Sequence, residues 1–331
     1  MKVLILTERD IEPLLSMEET IKAVEAAFKE KGLGHVQMPS KQFLIYDRYG
    51  GDLRSMPSYL ERLDISAVKI VNSHPDNPVR HGLPTVMATI ILIEPRTGMP
   101  LAIMSGNRIT AVRTGAAGGI AAKYLARKEP KIVGLVGAGT QAKTQLQALL
   151  TVYESLDEVK VWSRPDSTRE KLIEGIIEAY ADFVKITPVE KVREAVIGAD
   201  IVVTTTPSRR PIVSYEWVSE GQHFSCIGAD APGKEELDPK ILKNAKIVLD
   251  DWEQGLHSSE VNVPYSRGLI SERDIWGDIC EVVAGLKDGR TSDREITVFA
   301  SSGLAIQDAA TAKLVYDKAV SAGIGQYIDF M

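Results

Sequence analysis

Hydrophobic and polar positions change their spacing several times along the chain, and each change predicts a different element. Residues 1–34 read as a short strand followed by a helix. Ile21, Val24 and Phe28 recur at helical spacing behind a Ser16/Glu19 capping box, and Gly32 and Gly34 end the run. From about 35 to 105 the period shortens. Apolar runs at Ile65–Val71, Thr85–Ile93 and Leu101–Met104 are separated by turn-forming stretches such as His74-Pro75-Asp76-Asn77-Pro78 and Arg96-Thr97-Gly98, which predicts a mainly antiparallel sheet. A helix of small residues is expected from Ile109 to about Arg127. Its Gly115-Ala116-Ala117-Gly118-Gly119 run implies close contact with another helix or a bound cofactor, because glycine inside a helix costs ~1 kcal/mol against alanine.

The pattern changes again between Lys131 and Arg164. An apolar run, Ile132–Val136, leads into Gly137-Ala138-Gly139-Thr140-Gln141-Ala142; an amphipathic segment (Leu146, Leu149, Leu150, Val152) and a second apolar run, Val159–Trp162, follow. Strand, glycine turn, helix and strand in this order match a dinucleotide-binding βαβ unit. Gly137 permits the sharp turn, Gly139 lets a pyrophosphate approach the backbone, and Ala142 lets the helix pack close to the sheet. The helix N-terminus offers free N–H groups and a positive dipole end to phosphate.

Alternation continues to the end. Helices are expected at Asp166–Phe183 (capped by Ser167 with Glu170), Val189–Ile197, Ser271–Leu286 and Leu304–Ala322, the last returning to the first domain. Strands are expected at Val184–Thr187, Asp200–Thr205, His223–Ile227, Lys246–Leu249 and Ile296–Ala300. Continuous apolar strands with helices between them predict an α/β fold: a Rossmann-type doubly wound parallel sheet with a second α+β domain.

Composition narrows the function classes. The 331 residues are 44% hydrophobic and 25% charged, as in a soluble globular protein. A net charge of −6 argues against nucleic-acid binding, and no apolar run reaches the ~18–20 residues of a membrane span. Cys226 and Cys280 form no disulfide framework and read as buried thiols, and early acids rule out a signal peptide, so the expected compartment is the cytoplasm. The five histidines show no metal-ligand spacing, so no metal is expected, and no nucleophile elbow is present.

Candidate chemistry lies at strand ends and at cations in apolar contexts. Asp230 follows an apolar strand within Gly228-Ala229-Asp230-Ala231-Pro232-Gly233-Lys234 and is read as a catalytic acid, its alternative being the cap of a helix near Glu236. Lys69 interrupts Ile65–Val71, Arg113 interrupts the small-residue helix, and Arg54 lies beside an expected turn in Gly51–Pro57. With Lys41 these cations suggest a carboxylate-binding pocket. Glu260 and Asp250-Asp251 read as caps or solvated acids. The second strand of the βαβ unit ends in Ser163-Arg164 rather than an acid, which favours NADPH over NADH, with both expected to be used.

Seven motifs, read together, resemble those of the ornithine cyclodeaminase/μ-crystallin family, especially its archaeal alanine-dehydrogenase-like branch. They are Gly51–Pro57, Lys69–Pro75, Arg113–Ala117, Gly137–Ala142, Thr204–Pro207, Gly228–Lys234 and Ser302–Asp308. The resemblance implies a homodimer whose substrate-binding and dimerisation domain spans 1–113 plus 304–331, with a Rossmann domain at 114–303. It implies catalytic roles for Lys69 and Asp230 and substrate binding by Lys41, Arg54, Lys69 and Arg113. The implied cofactor-binding set is Thr114, Gly137, Ala138, Gly139, Thr140, Gln141, Ser163, Arg164, Thr205, Gly228, Lys234 and Ser302. Cyclodeaminases carry a glutamate where this chain has Arg54, so a second substrate ammonium should be repelled; the μ-crystallin branch lacks the acid at Asp230. The expectation is an NAD(P)H-dependent reductase of α-imino carboxylates, with Δ1-pyrroline-2-carboxylate or Δ1-piperideine-2-carboxylate as the best substrates, or the related alanine dehydrogenase reaction. The alternatives are ornithine cyclodeaminase and a cofactor-dependent binding protein.

Overall fold

The computed structural model describes residues 2–166 and 168–330. The chain forms two compact units, Met1–Arg113 with Leu304–Met331, and Thr114–Gly303.

The first unit is built on a sheet ordered Gln326–Asp329, Lys2–Leu6, Pro100–Ser105, Val86–Ile93, Ile65–Ser73, Gly51–Leu60, with both Val36–Gln37 and Gln42–Tyr46 pairing the last of these. All pairings are antiparallel except Lys2–Leu6 with Pro100–Ser105. Two helices, Met17–Gly32 and Ala305–Ala322, pack on each other, and the second also lies against strands Gly51–Leu60 and Ile65–Ser73. Ser16 caps the first helix by accepting from the Glu19 amide.

The turn expected beside Gly51–Pro57 is present: Asp47–Tyr49 and Gly50, at φ +61°, join Gln42–Tyr46 to the ten-residue strand Gly51–Leu60 that this stretch opens. Its Pro57 falls between the stretches paired by Gln42–Tyr46 and Val36–Gln37, where a residue without an N–H is tolerated.

The second unit holds a wholly parallel sheet ordered Lys185–Pro188, Glu158–Trp162, Ile132–Val136, Ile201–Thr204, His223–Cys226, Thr297–Ala300, Lys246–Leu249, Ile275–Asp278. The chain leaves Ile132–Val136 toward one edge and later resumes beside it at Ile201–Thr204. That reversal is the switch point at which open α/β sheets bind ligands. Val136, Val202, Phe224, Leu249 and Val298 form part of a core that is fully buried. The small-residue helix, Asn107–Leu125, gains its close contact from the helix Thr140–Val152: a Cβ on Gly115 would stand 2.4 Å from the Thr144 carbonyl oxygen.

Two expectations change in this unit. Ser271–Leu286 is not one helix: Ile275–Asp278 pairs as an edge strand, and Asp278 with Glu281 then caps a short helix, Ile279–Val283. Gly277, a poor helix residue, sits in the strand. The helix after Asp166 runs Arg169–Tyr180; the Ser167 cap lies outside the described residues.

Candidate active site

In the first unit, strand alternation puts Ile65, Ala67, Lys69 and Val71 on one buried face, so Lys69 occupies a core position. Its side chain is wholly inaccessible, and its Nζ lies 2.7 Å from Asp308 Oδ2. Arg113, on the helix Asn107–Leu125, donates from Nε to Asp308 Oδ1 at 2.9 Å and from Nη1 to Gln307 Oε1 at 2.5 Å. One buried carboxylate thus bridges two cations. Burial lowers the Lys69 pKa to about 7, helped by the Arg113 and Lys41 charges and opposed by Asp308.

Arg54 lies on the same face of the sheet, diagonal to Lys69, since Met56 stands opposite Lys69. It is bound bidentately by Asp52, with Nε–Oδ1 at 3.0 Å and Nη2–Oδ2 at 3.1 Å, and lies over the Phe43 ring. Asp52 offsets the Arg54 charge, so repulsion of a second substrate ammonium is weaker than the sequence implied. Arg54 pairs with Asp52, Lys69 and Arg113 share Asp308, and the Lys41 charge is felt at Lys69. Two cations on the single Asp308 carboxylate suit a bound carboxylate.

Asp308, Gln307 and Asp52 were not foreseen as site residues. An acid in the first turn of a helix normally complements the dipole. The signal that distinguishes Asp308 is its place among Ala305, Ala309 and Ala312, a run too apolar for a solvated face; it is 1% exposed.

In the second unit, Gly137 adopts φ +118°, and a Cβ there would stand 2.3 Å from Thr205 Oγ1. Gly137 ends Ile132–Val136 and Thr205 ends Ile201–Thr204, so both sit at the switch point. Gly139 precedes the helix Thr140–Val152, has no side chain to cap it, and has no atom within 4 Å of an ideal Cβ. The first amides of this helix, at Thr140 and Gln141, have no residue four back within the helix to bond to, and Ala138 and Ala142 beside them are buried. This cradle fits a dinucleotide pyrophosphate. Ser163 is buried, while the Arg164 side chain is 77% exposed and pairs with Asp166 at 3.1 Å. The Thr114 carbonyl accepts from Gln145 Nε2 at 2.8 Å.

Asp230 Oδ1 lies 2.6 Å from Lys234 Nζ. It caps no helix: Glu235–Leu237 is a strand, and the next helix, Pro239–Lys243, is capped by Asp238. Gly228 lies against Thr206, whose carbonyl oxygen would be 2.2 Å from an added Cβ. Ser302 donates from its amide and hydroxyl to Asp250. Asp250 and Glu260 are fully buried rather than solvated. Asp251 does cap a helix, Trp252–Ser258. Among the described residues no cluster of His, Cys, Asp and Glu could hold a metal ion, and no helix is long and apolar enough to cross a membrane.

The model of the ornithine cyclodeaminase/mu-crystallin family matches residues 1–323. The chain belongs to this family. An alanine dehydrogenase of Archaeoglobus fulgidus is 50% identical over 330 residues, covering 100% of this chain and 99% of that protein. Two solved family structures superpose closely. One is an archaeal alanine dehydrogenase dimer with bound NAD, at TM-score 0.94 and 51% identity, covering 100% of both chains. The other is the Thermococcus litoralis Δ1-pyrroline-2-carboxylate reductase with NADH and L-proline, at TM-score 0.93 and 42% identity, covering 98% of this chain and 99% of that one.

Proposed function

We propose that the protein is an NAD(P)H-dependent reductase of α-imino carboxylates, working as a homodimer. The Lys69–Asp308–Arg113 cluster carries the proposal, because it joins a guanidinium for the carboxylate to a buried amine that titrates near neutrality. Bound reduced nicotinamide supplies the hydride. Arg113, with Lys41 and Arg54, holds the substrate carboxylate and fixes the reacting carbon. Asp230 stabilises the protonated imine nitrogen, without which the carbon is a poor electrophile. Lys69 gives or takes the proton at its Nζ. The related proteins named above act on one linear and one cyclic member of this substrate class, which supports the class rather than a ring size.

The phosphate cradle separates binding from folding. Gly139→Ala is expected to weaken dinucleotide binding ~10-fold or more, about 1.4 kcal/mol, while costing at most ~1 kcal/mol of stability. Gly137→Ala, with positive φ and the Thr205 contact, should instead destabilise by ~1–3 kcal/mol. Cofactor titration and thermal melts on both variants check this; equal binding by the Gly139 variant would remove the cradle. For the adenosine end, Ser163 and Arg164 support a preference for a 2′-phosphate, and hence for NADPH.

Incubation of purified protein with NADH or NADPH tests the function. Stoichiometric cofactor oxidation is expected with Δ1-pyrroline-2-carboxylate or Δ1-piperideine-2-carboxylate, and slow or no oxidation with pyruvate plus ammonia, with a lower KM for NADPH. L-Ornithine should yield no ammonia. Ammonia release from ornithine with no net cofactor change would replace the reductase with a cyclodeaminase.

A further inference from the structure

Two carboxyls flank the Asp230 loop and have no part in the chemistry above. Glu236 and Glu260 are fully buried. Glu236 Oε1 accepts from the Thr206 amide at 2.7 Å and the Thr206 hydroxyl at 2.6 Å. Glu260 Oε1 accepts from the amides of Glu236 at 2.8 Å and Leu237 at 2.6 Å. The Oε2 atom of each is buried without a hydrogen-bond partner among the described residues. The loop is thereby anchored on both sides. At its start the Gly228 amide donates to the Thr204 carbonyl, and a Cβ there would stand 2.5 Å from Glu236 Oε2. At its end Asn262, two residues beyond Glu260, accepts from the Gly233 amide and donates to the Lys234 carbonyl, both at 2.9 Å.

Two ionised carboxylates buried side chain and all are costly, and the cheapest remedy is to keep a proton. Burial raises Glu236 to about 7 against the Thr206 donors and the Lys234 charge. Burial and the Glu236 charge raise Glu260 well above the ordinary carboxyl range. The other groups facing the pair do not neutralise it. Cys226 is itself raised by burial and by both glutamates. Glu235 is raised by burial and partly offset by Arg267 at 3.5 Å. Lys234 is shared with Asp230.

We propose that Glu236 and Glu260 are positioning residues, a proton-holding clamp that fixes the Asp230 loop between Thr206 and Leu237. With the proton in place both anchors hold; on its loss the two charges repel and the loop loosens. The importance of the loop rests on the imine-reductase reading, whereas the clamp itself does not.

Hydrogen–deuterium exchange on the full chain tests it. After correction for intrinsic rates, protection of 228–237 should fall at least ~10-fold between about pH 6 and pH 9. Glu236→Gln and Glu260→Gln, which mimic the protonated acid, should keep that protection at alkaline pH. Melting gives a second readout. Carboxyls raised in the folded state make stability fall as pH rises above their unfolded value, so each amide variant should gain on wild type toward pH 9. Lys69, lowered in the folded state, acts with the opposite sign and cancels in that difference. Protection that stays flat with pH in wild type, or amide variants that track its slope, would overturn the clamp; if one variant fails to fold, the wild-type series and the other still decide. A fully active Asp230→Asn enzyme with an intact pH response would sink the catalytic reading and leave the clamp standing.

Discussion

Arg113→Leu should lower kcat/KM for the imine at least ~100-fold, because removing one partner of a buried charged pair costs roughly 2–5 kcal/mol. The guanidinium has two tasks. It is the planar donor suited to grip a carboxylate, and it holds Asp308 and Gln307 in place. Leucine leaves Asp308 with Lys69 as its remaining ion-pair partner and leaves the Gln307 oxygen without its Arg113 donor. Some stability should be lost as well, about 3–5 kcal/mol where no group relaxes into the gap. Arg113→Lys separates the two tasks: it keeps a charge for Asp308 but loses the bidentate fork, so it should melt near wild type and still turn over poorly. Cofactor affinity should change little in either variant. Near-normal turnover in folded Arg113→Leu would exclude the residue from the site.

Lys69→Met should cut turnover by ~10²–10⁴-fold, the range for losing a positioned general acid or base. Its pH dependence is the more diagnostic result. With a pKa near 7, Lys69 is charged below neutrality and neutral above, so imine reduction should decline, and amine oxidation rise, as pH passes that value. Methionine should abolish that limb. Stability carries the same signature. Between about 7 and the ordinary lysine value of 10.5 the unfolded chain binds more protons than the folded one, so Lys69 makes stability increase with pH over that window. An unchanged pH–rate profile in the methionine variant would remove Lys69 from proton transfer.

The parallel sheet was legible because its strands are buried on both faces, so Ile201–Thr204 and Lys246–Leu249 read as unbroken apolar runs. The glycine turn was legible because Gly137 and Gly139 answer separate steric demands. Gly51–Leu60 was less so. Gly51, Asp52 and Pro57 are turn residues by local chemistry, and only pairing on both sides, nonlocal in sequence, holds them extended. Lys69 stood out as a cation in an apolar run, but its counter-ion did not. Asp308 gains its role from a contact 195 residues away from Arg113, and no local pattern encodes such a distance.

That separation also bears on synthesis. Strands 51–60 and 65–73 and Arg113 emerge from the ribosome long before Gln307 and Asp308 do. At ~5–20 residues per second the 195 residues in between take about 10 to 40 s to make. Throughout that interval the early sheet holds Lys69 and Arg113 without the carboxylate that later bridges them. The second unit, Thr114–Gly303, is continuous in sequence and can close its own sheet within the same wait. A nascent chain stalled before residue 308 therefore has its nucleotide-type unit complete in sequence while Lys69 and Arg113 still lack Asp308.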